Sequence, residues 1–159
     1  MINKAEFDKL MAEKPSQRLA NALIALDIFG NKPGCEVDMD FFYEYNAQTG
    51  TCFACLGGAA TLVQLNVDED AYKKICITGL VDNFCADADN KGFRNAVHGY
   101  ELSLDDARQG NVGDMFSRMG LDYIDGTVLS REVAYHQERP RQWRKDMEQL
   151  VADLKEAGF

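Results

Sequence analysis

Residues 52–60 read Cys-Phe-Ala-Cys-Leu-Gly-Gly-Ala-Ala, two cysteines at CxxC spacing followed by a block of tiny side chains. Whatever element carries this run must let a neighbour approach close to its backbone, because glycine and alanine offer almost no side chain to pack against. CxxC spacing fits a disulfide oxidoreductase, half of a zinc site or the packed face of a helix. A redox site of the thioredoxin type needs a strand before the motif, a helix starting on it and a cis-proline downstream. The prolines are Pro15, Pro33 and Pro140, so none lies between Cys55 and Pro140. Structural zinc needs four ligands, normally with a second close pair, yet the remaining cysteines Cys35, Cys76 and Cys85 are singletons, with only His98 and His136 to help. The reading that remains is a core helix from Cys52 to about Leu65, with Cys52, Cys55, Ala59, Leu62 and Val63 recurring at three- and four-residue steps. On this reading the five cysteines are free thiols, with no metal and no cofactor.

At 159 residues the chain is long enough for one domain that buries about two-thirds of its unfolded surface without disulfides. The odd cysteine count and the absence of an apolar leader after Met1 point to a reducing, cytoplasmic address. The longest apolar run, residues 19–29, is interrupted by Asn21 and Asp27 and is too short for a membrane span.

Charge is uneven. Of the formal −9, residues 35–92 carry −7: ten acids against Lys73, Lys74 and Lys91. Such a field repels phosphate backbones, so direct nucleic-acid binding is disfavoured outside the basic group Arg139, Arg141, Arg144 and Lys145. A partner with a basic surface is the natural complement.

Along the chain, Asn3 to Glu6 forms a capping box for a short helix that Pro15 interrupts. Leu19, Ala20, Leu23, Ile24 and Ile28 then mark a second helix, stopped at Gly30. From residue 36 to 45 the period changes to two, with Val37, Met39, Phe41, Tyr43 and Tyr45 on one side and Glu36, Asp38, Asp40, Phe42 and Glu44 on the other. This predicts one half-buried strand, followed by a turn over residues 46–50 and a helix capped by Thr49 or Thr51.

Further helices are predicted from Asp68 to about Phe84, from Ser103 to near Gly110 and around Val112 to Met119, with a strand near residues 96–102. Residues 127–139 are ambiguous. Asp87 to Gly92 resembles the opening of a calcium loop, but Lys91 takes a ligand position and His98 stands where the bidentate glutamate belongs. Trp143, Met147, Leu150, Val151 and Leu154 form the apolar stripe of a C-terminal helix. The expected fold is α+β, a helix-dominated single domain over residues 1–159 with a small antiparallel sheet.

The run Cys52-Phe53-Ala54-Cys55-Leu56-Gly57-Gly58-Ala59, together with Leu104-Asp105-Asp106-Ala107-Arg108-Gln109-Gly110, resembles small uncharacterised accessory proteins of tailed bacteriophages. Those proteins carry a similar Cys-rich, Gly/Ala-rich helix upstream of an Asp-and-Arg-Gly segment, and the resemblance covers about 60 residues. It implies a phage accessory protein of the kind that binds and disables a host factor.

Three functions compete. The first is a noncatalytic inhibitor that meets a basic surface on a host protein through Glu36, Asp38, Asp40 and Glu44, with Phe42 as the aromatic anchor. The second is a cysteine hydrolase, with Cys52 at a helix start as nucleophile, His98 as base and Asp114 or Glu101 orienting it. The third is a sequesterer of a small anion held by Arg94, Arg108 and Arg118 at an oligomer interface. The first is the leading expectation, with no catalytic and no metal-binding residue assigned and homo-oligomerisation left open.

Overall fold

The computed structural model describes residues 4–66 and 140–159. Elements expected between residues 67 and 139 lie outside the described residues, as do Cys76, Cys85, Arg94, His98, Glu101, Arg108, Asp114, Arg118, His136 and Arg139. The fold is α+β: the described residues comprise four helices and a three-stranded sheet.

Helix α1 spans Lys4–Met11 and α2 spans Pro15–Gly30, with Pro15 in the first turn, where its missing N–H costs nothing. Asn31 closes α2, both its backbone N–H and its side-chain Nδ2 donating to Asp27 O. The buried face of α2 runs through Leu19, Ala22, Leu23, Ala25, Leu26 and Phe29. It is rotated from the stripe expected from the sequence, since Ile24 and Ile28 are exposed. In place of Ala20, Ile24 and Ile28 the contact face uses Ala22 and Ala25, which let α2 lie against the small-residue helix α3, Leu56–Gln64.

The expected single strand over residues 36–45 is two strands. Strand β1 is Cys35–Val37, β2 is Tyr43–Asn46, and residues 38–42 cross between them. Strand β3, Thr51–Ala54, lies in the middle of the sheet, parallel to β1 and antiparallel to β2, so the sheet is mixed rather than purely antiparallel. The turn joining β2 to β3 is built by Asn46, whose Oδ1 accepts from the N–H groups of Gln48 and Thr49, while Gly50 takes the positive φ of 73° that closes it.

The CxxC run is correspondingly split between two elements. Cys52 belongs to β3, and only from Leu56 is the chain helical, with Cys55 as the N-cap residue. Thr51 and Phe53 are good strand formers and Gly57-Gly58 poor helix formers, so local preference agrees with a late helix start. Thr49 and Thr51 do not cap the helix; their hydroxyls bond each other in the turn.

Helix α4, Pro140–Glu156, buries Trp143, Met147, Leu150 and Leu154, the stripe expected from the sequence. It runs antiparallel to α2. At one end Ser16 Oγ donates to Phe159 O and Lys14 Nζ to Gly158 O. At the other, Arg144 makes a two-pronged contact with Asp27 at 2.7 and 2.9 Å and also reaches Glu148. Burial disfavours the charged guanidinium, but its bonds to Asp27 and Glu148 outweigh that penalty and raise its pKa above the ordinary value. No helix among the described residues is long and apolar enough to cross a membrane.

The tightest approach in the sheet region is between Gly58 and residue 42. A Cβ at Gly58 would overlap the carbonyl oxygen of Phe42 and lie 3.3 Å from Ala54 Cβ. The overlap is with backbone, which cannot rotate away. Gly58→Ala is therefore expected to lower stability by about 1–3 kcal/mol, and Ala59→Leu, at a position without solvent exposure, by a similar amount. The urea midpoints measure both effects, and unchanged midpoints would contradict the packing.

Candidate functional site

Strand register sorts the side chains of the sheet onto two faces. Cys35, Val37, Cys52, Ala54, Tyr43 and Tyr45 share the inner face towards the helices. Glu36, Thr51, Phe53, Glu44 and Asn46 share the outer one. Phe53 is aligned with Glu36 on one side and Glu44 on the other, so the three form a single rung, glutamate–phenylalanine–glutamate, across the whole sheet. The crossing segment adds Phe41, 38% exposed, whose ring lies 6.1 Å from that of Phe53 at a tilt of 47°. Residues 35–66 contain four acids and no lysine or arginine.

Residues 38–42 hold this arrangement in place. Asp38 N–H donates to Ala54 O at 3.1 Å and Cys55 N–H to Phe41 O at 2.7 Å, so the segment is tied across the carboxyl end of β3. Asp38 Oδ1 also accepts from Asp40 N–H at 2.9 Å, an Asx turn that shapes the segment.

The five residues expected to contact a partner fall into different roles. Glu36 and Glu44 are exposed on the outer rung, and Asp40 is exposed on the crossing segment. Asp38 is half-buried and serves the turn. Phe42 is not on the polar face of a strand, as alternation predicted. It lies in the crossing segment, half-buried, where a Cβ on Gly57 would stand 3.4 Å from its ring. Its ring packs over the start of α3, and the exposed aromatic beside the acids is Phe41. Sequence reasoning misses Phe53 because the helical spacing that starts at Cys52 hides the strand Thr51–Ala54. The alternation of Thr51 and Phe53 with Cys52 and Ala54 was the available signal.

Cys52 is not at a helix start. It is 4% exposed on the inner face, and Tyr43 OH donates to its Sγ at 3.3 Å. A strand leading to a helix does flank the CxxC run, yet its first cysteine faces the core. Cys55 and Cys35 are half-buried. Among the described residues no group of three His, Cys, Asp or Glu side chains is placed to hold a metal.

Arg141, Arg144 and Lys145, at the start of α4, line an open groove of about 490 Å³ together with Leu26, Val37 and Trp143. Arg144 is held there by Asp27 and Leu23 O. Because α4 is antiparallel to α2, Arg141, Arg144 and Lys145 sit beside the carboxyl end of α2, whose partial negative charge they complement.

Comparison with protein-family models, with curated proteins and with solved structures finds no match to this chain.

Burial orders the thiols. Under native conditions iodoacetamide should label Cys52 more slowly than Cys35 or Cys55, with the difference abolished in denaturant, as peptide mass mapping would read. Labelling of Cys52 at least as fast as the other two would restore the nucleophile reading.

Proposed function

We propose that this is a noncatalytic binding protein that docks a basic surface of a partner protein on the outer face of its small sheet. The observation that carries this reading is the rung of Glu36, Phe53 and Glu44 with Phe41 beside it: exposed carboxylates around aromatic surface, in a stretch without a single cation. Carboxylates attract a basic surface over about a Debye length and orient its approach, and the rings then supply apolar burial at contact. This division of labour is typical of interfaces in which charge sets the on-rate and a few anchors set the lifetime.

The bacteriophage resemblance supports assigning the partner to the host cytoplasm and the outcome to inhibition of a host protein. Glu36, Glu44 and Asp40 supply the charge, Phe41 and Phe53 the anchors, while Asp38 and Phe42 shape and pack the segment that presents them.

A charge-matched pair of variants tests the reading. Glu44→Lys changes an outer-rung carboxylate, and Glu156→Lys makes the same change of charge at the exposed end of α4. A host protein captured by the unmodified chain should associate several-fold more slowly with Glu44→Lys and with a weaker dependence on salt, while Glu156→Lys leaves both unchanged. Phe41→Ala should chiefly speed dissociation. Equal behaviour of the two lysine variants would move the interaction surface elsewhere.

A further inference from the structure

Resting on the reading of the outer face as a docking surface, we infer that its outer rung is a receptor for an arginine side chain of the partner, in preference to lysine. The register fixes the geometry. Glu36 and Glu44 flank Phe53 on neighbouring strands, and strands lie about 4.8 Å apart, so their Cα atoms are about 10 Å apart with the Phe53 ring between them. Among the described residues neither glutamate is paired with a lysine or arginine, so both carboxylates are available to an incoming cation.

A guanidinium matches this arrangement in a way an ammonium does not. It is flat, so it stacks face-on over the Phe53 ring, and its N–H donors radiate in the plane of stacking towards carboxylates on either side. The tilted ring of Phe41, 6.1 Å from Phe53, closes one side of the site and shields the stacked cation from water. A lysine ammonium is compact and strongly hydrated; it bonds one glutamate as a point charge and gains little from the ring. Long-range attraction is the same for both, so any preference for arginine isolates the contact with the rung from the general acidity of the chain.

Titration of the isotope-labelled chain with hexa-arginine and with hexa-lysine, followed by amide shifts at matched ionic strength, tests this. Hexa-arginine should bind about three-fold more tightly or better and shift the amides of Glu36, Glu44 and Phe53. Phe53→Leu, which keeps an apolar side chain on the strand and removes the ring, should abolish the preference by lowering hexa-arginine affinity to that of hexa-lysine. Equal affinity of the two peptides at this face would overturn the arginine inference and leave the docking surface standing. If neither peptide shifts the face, both fail. An arginine preference that survives Phe53→Leu, or that maps to other amides, also overturns the inference.

Discussion

Gly58 has no side chain, and so the carbonyl of Phe42 can rest against the first turn of α3. The rest of the arrangement depends on this contact. A chain leaving β1 must cross the end of β3 to reach β2 on the far side, and it must do so where α3 begins. Any side chain at position 58 would fill the space that residues 38–42 occupy. With glycine there, the crossing segment settles close enough for Asp38 N–H to reach Ala54 O and for Cys55 N–H to reach Phe41 O. The amide of the α3 N-cap residue is thus satisfied by the segment lying over it, a buried backbone requirement met without a capping side chain.

The same crossing decides what the sheet shows to solvent. It brings Phe41 against Phe53 and fixes the register in which Glu36 and Glu44 stand on either side of that ring. Side chains on the inner face join the core with α2, α3 and α4, so the outer face is left to carry charge. An acidic rung on a three-stranded sheet would be a poor stabiliser by itself, since like charges on neighbouring strands repel. Glu36 and Glu44 stand on β1 and β2, however, with the whole of β3 between them, and the inner side of the sheet is what joins the core. The outer face is therefore free to be selected for recognition.

Much of the helical framework among the described residues was legible in the sequence, because Pro15, Gly30 and the stripe from Trp143 to Leu154 are strong local signals. The α+β class followed from the change of period after residue 35. What misled was the tolerance of short apolar patterns: alternation over residues 36–45 fits one strand or two strands with a turn, and the hydrogen bond from Asp40 N–H to the Asp38 carboxylate that makes the turn is invisible to periodicity. Cys52, Cys55 and Ala59 likewise satisfy a helical spacing although only the last lies within a helix. The acids of the candidate site were recognisable from composition, but their grouping was not. Glu36 and Glu44 meet across Phe53 only through long-range register, which no local window contains, and that same register brings forward Phe53 and Phe41 while taking Phe42 into the packing.

Residue-resolved amide hydrogen exchange tests the clamp most directly. If residues 38–42 are locked across β3 and α3, the amides of Asp38 and Cys55 exchange as slowly as that of Ala59 inside the helix, although one belongs to a connecting segment and the other to a helix cap. Exchange of both at the rate of an open loop, with β3 and α3 still protected, would contradict the account, because the outer face would then have no fixed geometry to present.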